Sequence, residues 1–209
     1  MTLLLLIRHA ENDYSKRGRL AGRLPGVHLN ERGKEQAKDL GKALRGAPIK
    51  ALYSSPLDRA LETAKPIARE LHLSIQREAG LVETDVGQWQ GRSIRRLALT
   101  KAWRVFQQAP SRARHPGGES MVETQARVVS ALEGICTRHK PRDMVACVLH
   151  SDPIKLAVAH FIGLPLDHMQ RLSCDTASTT LLAVGPYGAR LLWLNRPPPL
   201  DFGSPSKKG

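Results

Sequence analysis

Two uninterrupted aliphatic runs, Thr2–Ile7 and Met144–Leu149, constrain this chain more than any other feature. A strand with one wet face alternates apolar and polar residues. Neither run alternates, so each must be covered on both faces, as the central strands of a parallel sheet are. Ile49–Tyr53 and a short Leu73–Gln76 read as further strands, with helical patterns between them. Asn30 is placed to cap a helix carrying Ala37, Leu40 and Leu44 on one stripe. Ser55-Pro56 has the form of a helix start. The helix it opens puts Leu57, Leu61, Ala64, Ala68 and Leu71 on one face, with Pro66 expected to bend it. Glu119–His139 reads as a longer helix with Val122, Val129, Leu132 and Cys136 facing inward, and Pro153–Phe161 as another. Two late runs, Thr179–Val184 and Arg190–Leu194, flank Gly185-Pro186-Tyr187-Gly188 and suggest a terminal hairpin.

This alternation predicts a three-layer α/β/α sandwich: a mostly parallel central sheet, a terminal antiparallel hairpin, and a small helical or loop insertion over the active site. The insertion is placed at about 92–118, with one helix over Ile94–Gln107. At 209 residues the chain has single-domain size. Residues 1–195 are read as that domain and 196–209, rich in Pro, Gly, Ser and Lys, as a disordered tail. With 41% hydrophobic and 24% charged residues, disorder of the whole chain, a collagen repeat and a coiled coil are excluded. Cys136, Cys147 and Cys174 lie far apart, which fits neither a disulfide framework nor a zinc ribbon and points to a reducing compartment. No run reaches the roughly 20 apolar residues of a membrane span, and Leu3–Ile7 is too short for a signal peptide. A soluble, cytoplasmic protein without a membrane partner is expected.

The formal charge is +13, from 32 basic and 19 acidic residues. Nucleic acid, an acidic membrane surface and anionic small substrates are all candidate partners for such a chain. Arg92, Arg95, Arg96, Lys101, Arg104, Arg112 and Arg114 fall in residues 92–118, which contain no acid.

In open α/β folds, ligands sit outside the carboxyl ends of the strands, at a switch point in strand order. Thr2–Ile7 ends in Arg8-His9, and Met144–Leu149 ends in His150-Ser151-Asp152. Ile49–Tyr53 ends in Ser54-Ser55, with Arg59 in the first turn of the helix that follows. Two histidines and two arginines thus converge on one sheet edge. Such a set suits phosphoryl chemistry. A neutral imidazole attacks phosphorus, and arginines clamp phosphoryl oxygens through bidentate hydrogen bonds. A second, protonated histidine would stabilise charge on the equatorial oxygens, while nearby guanidinium charge keeps the attacking imidazole unprotonated. An acid for the leaving oxygen is available in Glu83 or Asp85, within the loop-like stretch Glu83–Trp89.

Leu6-Ile7-Arg8-His9-Ala10-Glu11 resembles the signature of the histidine phosphatase superfamily, in the branch that includes cofactor-dependent phosphoglycerate mutases. Ser54–Ala64 resembles its second motif, Glu83–Gly91 the segment bearing its general acid, and Gly117–Ser120 and Leu149–Pro153 two later blocks. Asn30–Gly33 and Gln36-Ala37 match its first helix, so the resemblance runs over about 3–195 in the right order. It implies that His9 becomes a phosphohistidine, that Arg8, Arg59 and His150 hold the phosphate, and that Glu83 protonates the leaving group and then activates water. Neither metal nor cofactor is implied. Asn12, where the family commonly has Ser or Thr, is carried over as a phosphate ligand, and Ser15, where it often has Asn, as a further candidate. Ser151 stands where Gly usually follows the second histidine, and its backbone N–H survives that change.

The resulting reading is a metal-independent phosphomonoester hydrolase that acts on a small anionic phosphorylated metabolite. Mutase-type transfer is the alternative. Glu83-Thr84-Asp85-Val86-Gly87 lacks the Glu-Arg-His-Tyr-Gly block of the family's mutases, which favours hydrolysis. A non-catalytic phosphate- or nucleic-acid-binding protein is the alternative from another class, but nucleic acid has only charge in its favour. A homodimer is compatible with the fold. Substrate choice is assigned to Ala21, Gly22 and Arg23 and to the insertion, whose seven cations suggest a substrate with more than one anionic group; a solvated helix face explains them equally well. Trp103 and Phe106, at helical spacing, read as core. The other six histidines read as surface or structural, with His115 the one near the cavity wall.

Overall fold

The computed structural model describes residues 1–202. Its elements are β1 (Thr2–Arg8), α1 (Asp13–Lys16), α2 (Glu31–Ala43), β2 (Ile49–Ser54), α3 (Asp58–Leu71), β3 (Ile75–Arg77), α4 (Ile94–Leu97), α5 (Lys101–Gln108), α6 (Met121–Thr137), β4 (Met144–Leu149), α7 (Ser151–Phe161), β5 (Thr179–Gly185) and β6 (Gly188–Arg196). One six-stranded sheet runs in the order β3-β2-β4-β1-β5-β6. The first four strands pair in parallel, and β5 and β6 add antiparallel.

The unbroken aliphatic runs are explained by helices on both faces. Leu4 and Leu6 of β1, with Val145, Cys147 and Leu149 of β4, pack under α6 and α7 through Val128, Leu132, Ile154 and Val158. The intervening Leu5, Ile7, Ala146 and Val148 pack under α2 and α3 through Ala37, Leu40, Ala64 and Ile67. Successive side chains alternate across the sheet, so both sets must be apolar. The three-layer sandwich and its terminal hairpin follow.

Several local expectations shift. The α3 helix begins at Asp58, with Leu57 as N-cap rather than Ser55, and runs unbroken through Pro66. Its buried stripe is Arg59, Ala60, Thr63, Ala64 and Ile67, which leaves Leu57, Leu61, Ala68 and Leu71 half-buried at the margin. In α6 the Ser120 capping box fixes the start, and Met121, Thr124, Val128, Val129, Leu132 and Ile135 face inward while Val122 is exposed. The single helix expected over Ile94–Gln107 is two, α4 and α5, because Thr100 caps a new start by accepting from the Trp103 N–H. Arg196, read as the beginning of the tail, closes β6, and Leu200 and Phe202 pack against the α2–α3 core. The remainder of that tail, 203–209, lies outside the described residues.

The first turns of α2 hold the residues that follow His9. Glu11 N–H donates to Gln36 Oε1 (2.9 Å), Asn30 N–H donates to the Glu11 carbonyl (3.2 Å), and Gly33 packs flat against that carbonyl. A Cβ on Gly33 would lie 1.9 Å from the Glu11 oxygen, whereas one on Gly134 in α6 meets nothing within 4 Å. Gly33→Ala should therefore destabilise the fold by about 3 kcal/mol through overpacking. Gly134→Ala should stabilise it by about 0.5–1 kcal/mol through helix propensity. Urea unfolding of the two variants checks both signs.

Candidate active site

Strand register sets the centre of the site. In the β1–β4 pair Arg8 lies opposite Leu149, so the next residues, His9 and His150, leave the sheet side by side, with ring centroids 5.2 Å apart. On the other side of β4, Ser54 lies opposite Val148, which brings the following Ser55 hydroxyl to 2.8 Å from His150 Nε2. His9 Nδ1 is 2.7 Å from the Ala10 carbonyl. A carbonyl only accepts, so Nδ1 carries the proton and Nε2 keeps its lone pair. The Leu57 N–H donates to the Ser55 hydroxyl (3.4 Å), whose own proton can go to His150 Nε2; in that arrangement the His150 proton sits on Nδ1, the tautomer that presents an N–H to the cradle.

Both arginines are tied back by one arm. Arg8 Nη1 donates to the Cys174 carbonyl, and Arg59 Nη2 donates to the Gly22 carbonyl (2.7 Å). Thr63, one turn after Arg59, accepts from Ala10 N–H and donates to the Arg59 carbonyl, linking α3 to the loop after His9. Arg59 is only 1% exposed. Arg8 Nε, Arg59 Nε, Arg59 Nη1 and His150 Nδ1 are buried donors with no partner among the described residues. Such groups are costly unless an acceptor meets them. Together they form a cradle for one oxyanion beside His9.

Burial, and then the Arg59 charge, hold both imidazoles well below the ordinary histidine value. Before an oxyanion binds, this works against the protonated second histidine expected from the sequence, and a neutral His150 can still offer the oxyanion an N–H. Burial, followed by the Asp152 charge, pushes the Glu83 carboxyl up to about 7 against the opposing pull of Arg59. Glu83 Oε2 lies 3.9 Å from His150 Nδ1, and the Thr84 N–H holds Oε1 at 2.9 Å.

A strut behind the sheet edge positions Glu83. Arg127 donates to the Gly80 and Val82 carbonyls and reaches Glu119 through Nε and Nη2, each at 3.0 Å. Glu119 in turn accepts from Asp85 N–H. Burial works against the Glu119 anion, but Arg127, Asp85 N–H and Arg23 outweigh it and bring its carboxyl to about 2.

The cavity in front of the cradle encloses about 300 Å³. Arg8, His9, Arg59 and Glu83 line it, as do Asn12, Ser15, Ala21, Gly22 and Ser151; His150, fully buried, is not among the lining residues. Asn12 and Ser15 form the capping box of α1, so the Asn12 side-chain oxygen is already engaged by Ser15 N–H. Arg23 does not line the cavity. Its Nε donates to the Glu83 carbonyl and its Nη2 pairs with Glu119, which makes it a support for Glu83 rather than a substrate contact.

The insertion also differs from expectation. None of its seven cations lines the cavity; it contributes Ile94, Trp103, Phe106, Gln107 and His115 instead. Trp103 and Phe106 are wall residues as well as packing residues, because the inward stripe of α5 meets both Trp89 and the cavity. Sequence reasoning missed Ser55 as a histidine partner, Thr63, the Cys174 carbonyl, Asp152 and the Arg127 strut. Thr63 at i+4 from Arg59 and Asp152 two residues after His150 carry a spacing signal; the other contacts arise only in three dimensions. Among the described residues no three His, Cys, Asp or Glu side chains cluster as they would around a metal ion.

The model of the histidine phosphatase superfamily, branch 1, matches residues 4–197. Phosphoserine phosphatase 1 of Hydrogenobacter thermophilus is 33% identical over 184 residues, covering 87% of this chain and 86% of that protein. The 2,3-bisphosphoglycerate-dependent phosphoglycerate mutase of Thermoplasma acidophilum is 28% identical, covering 88% of each. A mycobacterial glucosyl-3-phosphoglycerate phosphatase, solved with VO3, superposes with a TM-score of 0.85 at 28% identity, covering 93% of this chain and 98% of that one.

Arg127→Met would take two donors from the Glu119 carboxylate, which keeps Arg23 and the Asp85 N–H, and would remove the Arg127 donor from the Gly80 and Val82 carbonyls. A loss of about 2–3 kcal/mol is expected in urea unfolding, below the range for fully buried pairs because Arg127 and Glu119 keep 23% and 20% of their side chains exposed.

Proposed function

This chain belongs to the histidine phosphatase superfamily, branch 1, and from that premise we propose that it is a phosphomonoester hydrolase working through a phosphohistidine on a small phosphorylated metabolite. The observation that carries the reading is the ring of unpartnered buried donors, Arg8 Nε, Arg59 Nε, Arg59 Nη1 and His150 Nδ1, around a histidine whose Nε2 alone is free. Phosphatase relatives of similar length support it.

In the first step His9 Nε2 attacks phosphorus, the bond from phosphorus to the ester oxygen breaks, and protonated Glu83 gives its proton to the departing alkoxide. Arg8, Arg59, His150 and the Ser151 N–H at the start of α7 stabilise charge on the three equatorial oxygens. In the second step the Glu83 carboxylate takes a proton from water, the oxygen attacks phosphorus, and His9 leaves with its lone pair restored. Glu83 is suited to both steps because its value of about 7 lets it give and regain a proton near neutrality. The mutase relative favours a second reading, return of the phosphate to the substrate; with a phosphoglycerate the two differ in whether inorganic phosphate or the isomer accumulates.

Phosphate release from nitrophenyl phosphate, phosphoserine, phosphoglycerates and sugar phosphates, measured in chelator, tests this reading. His9→Ala should lose at least about 10³-fold in kcat/KM and fail to form an acid-labile phosphoenzyme. Activity surviving that change would exclude the mechanism.

The pH profile gives an independent check. The general acid works protonated, so kcat/KM of the wild type should fall as pH rises through about 7. The acid limb, from His9, should lie well below the ordinary histidine value. Glu83→Gln should remove the alkaline limb and cost about 10²–10⁴-fold, least with the good leaving group nitrophenol.

A further inference from the structure

The helix pair α4–α5 has two unlike faces. Inward, Ile94, Trp103 and Phe106 line the cavity. Outward, Lys101, Arg104, Val105 and Gln108 recur at helical spacing along α5, and all are exposed. Arg92, Arg95 and Arg96 are exposed beside α4, and Leu99, in the turn joining the two helices, is 81% exposed. These five cations make no ion pair or side-chain hydrogen bond among the described residues. The cationic surface extends onto a second loop, where Lys16 and Arg17 are also exposed, as is Arg19, which in addition lines the cavity. Backbone hydrogen bonds from Leu20 N–H to the Arg92 carbonyl (3.0 Å) and from Ile94 N–H to the Gly18 carbonyl (2.8 Å) join the two segments.

We propose that this outer face docks the protein onto an anionic lipid bilayer. Cations without protein partners are attracted to an anionic surface and are neutralised there without breaking internal pairs. An aliphatic apex among them has no counterpart on a purely polar polyanion, but it gains by entering the boundary between headgroups and acyl chains. Nucleic acid fits this face less well. The aromatic rings of the segment, Trp103 and Phe106, line the cavity, and no ring is left on the outer face for a base to stack on. The expectation of no membrane partner rested on the lack of a span. Among the described residues no helix is long and apolar enough to cross a membrane, and peripheral docking requires none. Ile94 belongs both to the exposed surface and to the cavity lining, so docking brings the cavity mouth against the lipid.

The test is sedimentation of the full chain with vesicles of mixed phosphatidylglycerol and phosphatidylcholine, against phosphatidylcholine alone, at about 0.1 M salt. Wild type should bind the anionic vesicles only. The triple variant Arg95→Ala, Arg96→Ala, Arg104→Ala should bind about a hundred-fold more weakly, at roughly five-fold for each cation. Leu99→Asp should also weaken binding with every cation in place. Both variants should hydrolyse soluble nitrophenyl phosphate as wild type does, which shows that they are folded. His9→Ala should dock normally, so loss of catalysis and loss of docking are read separately. Failure to bind anionic vesicles would overturn the proposal, as would binding that survives both variants. Retention of binding by Leu99→Asp alone, or capture by duplex DNA where vesicles are not bound, would reduce the face to a general polyanion patch and overturn lipid docking.

Discussion

The parallel pairing of β1 with β4 is the constraint on which the rest of the structure depends. Both strands are aliphatic along their length and covered on both faces, so their ladder is dry and their register tightly specified. That register sets His9 beside His150 without any contribution from loop geometry. The next strand, β2, delivers Ser55 to the second imidazole in the same way. Groups held at the ends of buried strands keep the sub-ångström placement that in-line phosphoryl transfer requires.

On this rigid base the chain tolerates groups that a fold selected for stability alone would avoid. Arg59 is buried with two of its nitrogen groups unpartnered, and Arg8 and His150 each leave one more. Unmet buried donors lower stability, and such departures from the packing rules concentrate at functional sites. Local structure compensates: α3 is tied to the His9 loop by Thr63, α2 clamps Glu11, and the Arg127–Glu119 strut holds 80–85 in place. Glu83 escapes the conflict differently. It sits where burial and the Asp152 charge favour its neutral form, so the acid that the proposed mechanism calls for is also the form that is easiest to bury.

The insertion shows how one short segment can serve two environments. Its aromatic and aliphatic side chains form the wall of the cavity, and its cations face outward. The composition that invited a polyanionic substrate is thus divided by helix geometry between an inner wall and an outer rim. Electrostatic attraction therefore acts at the surface of this segment, while shape and apolar contact act inside it.

Much of the protein was legible in its sequence. The unbroken runs required a sheet covered on both sides, and the residues ending those runs, Arg8-His9 and His150, together with Arg59 one turn into a helix, carried the site. The need for an acid pointed to Glu83 or Asp85 in the neighbouring loop, and the family resemblance selected Glu83. These features depend on chain order and on a period of two, which a linear pattern preserves. Other features could not be read this way. A helix turns about 100° per residue, so placing the start of α3 two positions early went with a different inward stripe, and a break at Thr100 decided which side chains of the insertion met the cavity. Arg23, expected as a substrate contact, and Arg127, which carried no expectation, support Glu83 through carboxylate and carbonyl partners distant in the chain. The sequence by itself determined the chemistry at the strand ends; tertiary structure alone decided the direction in which His150 and Glu83 are pushed from their ordinary values and the facing of the cations, because both depend on burial and on which groups packing brings within a few ångströms.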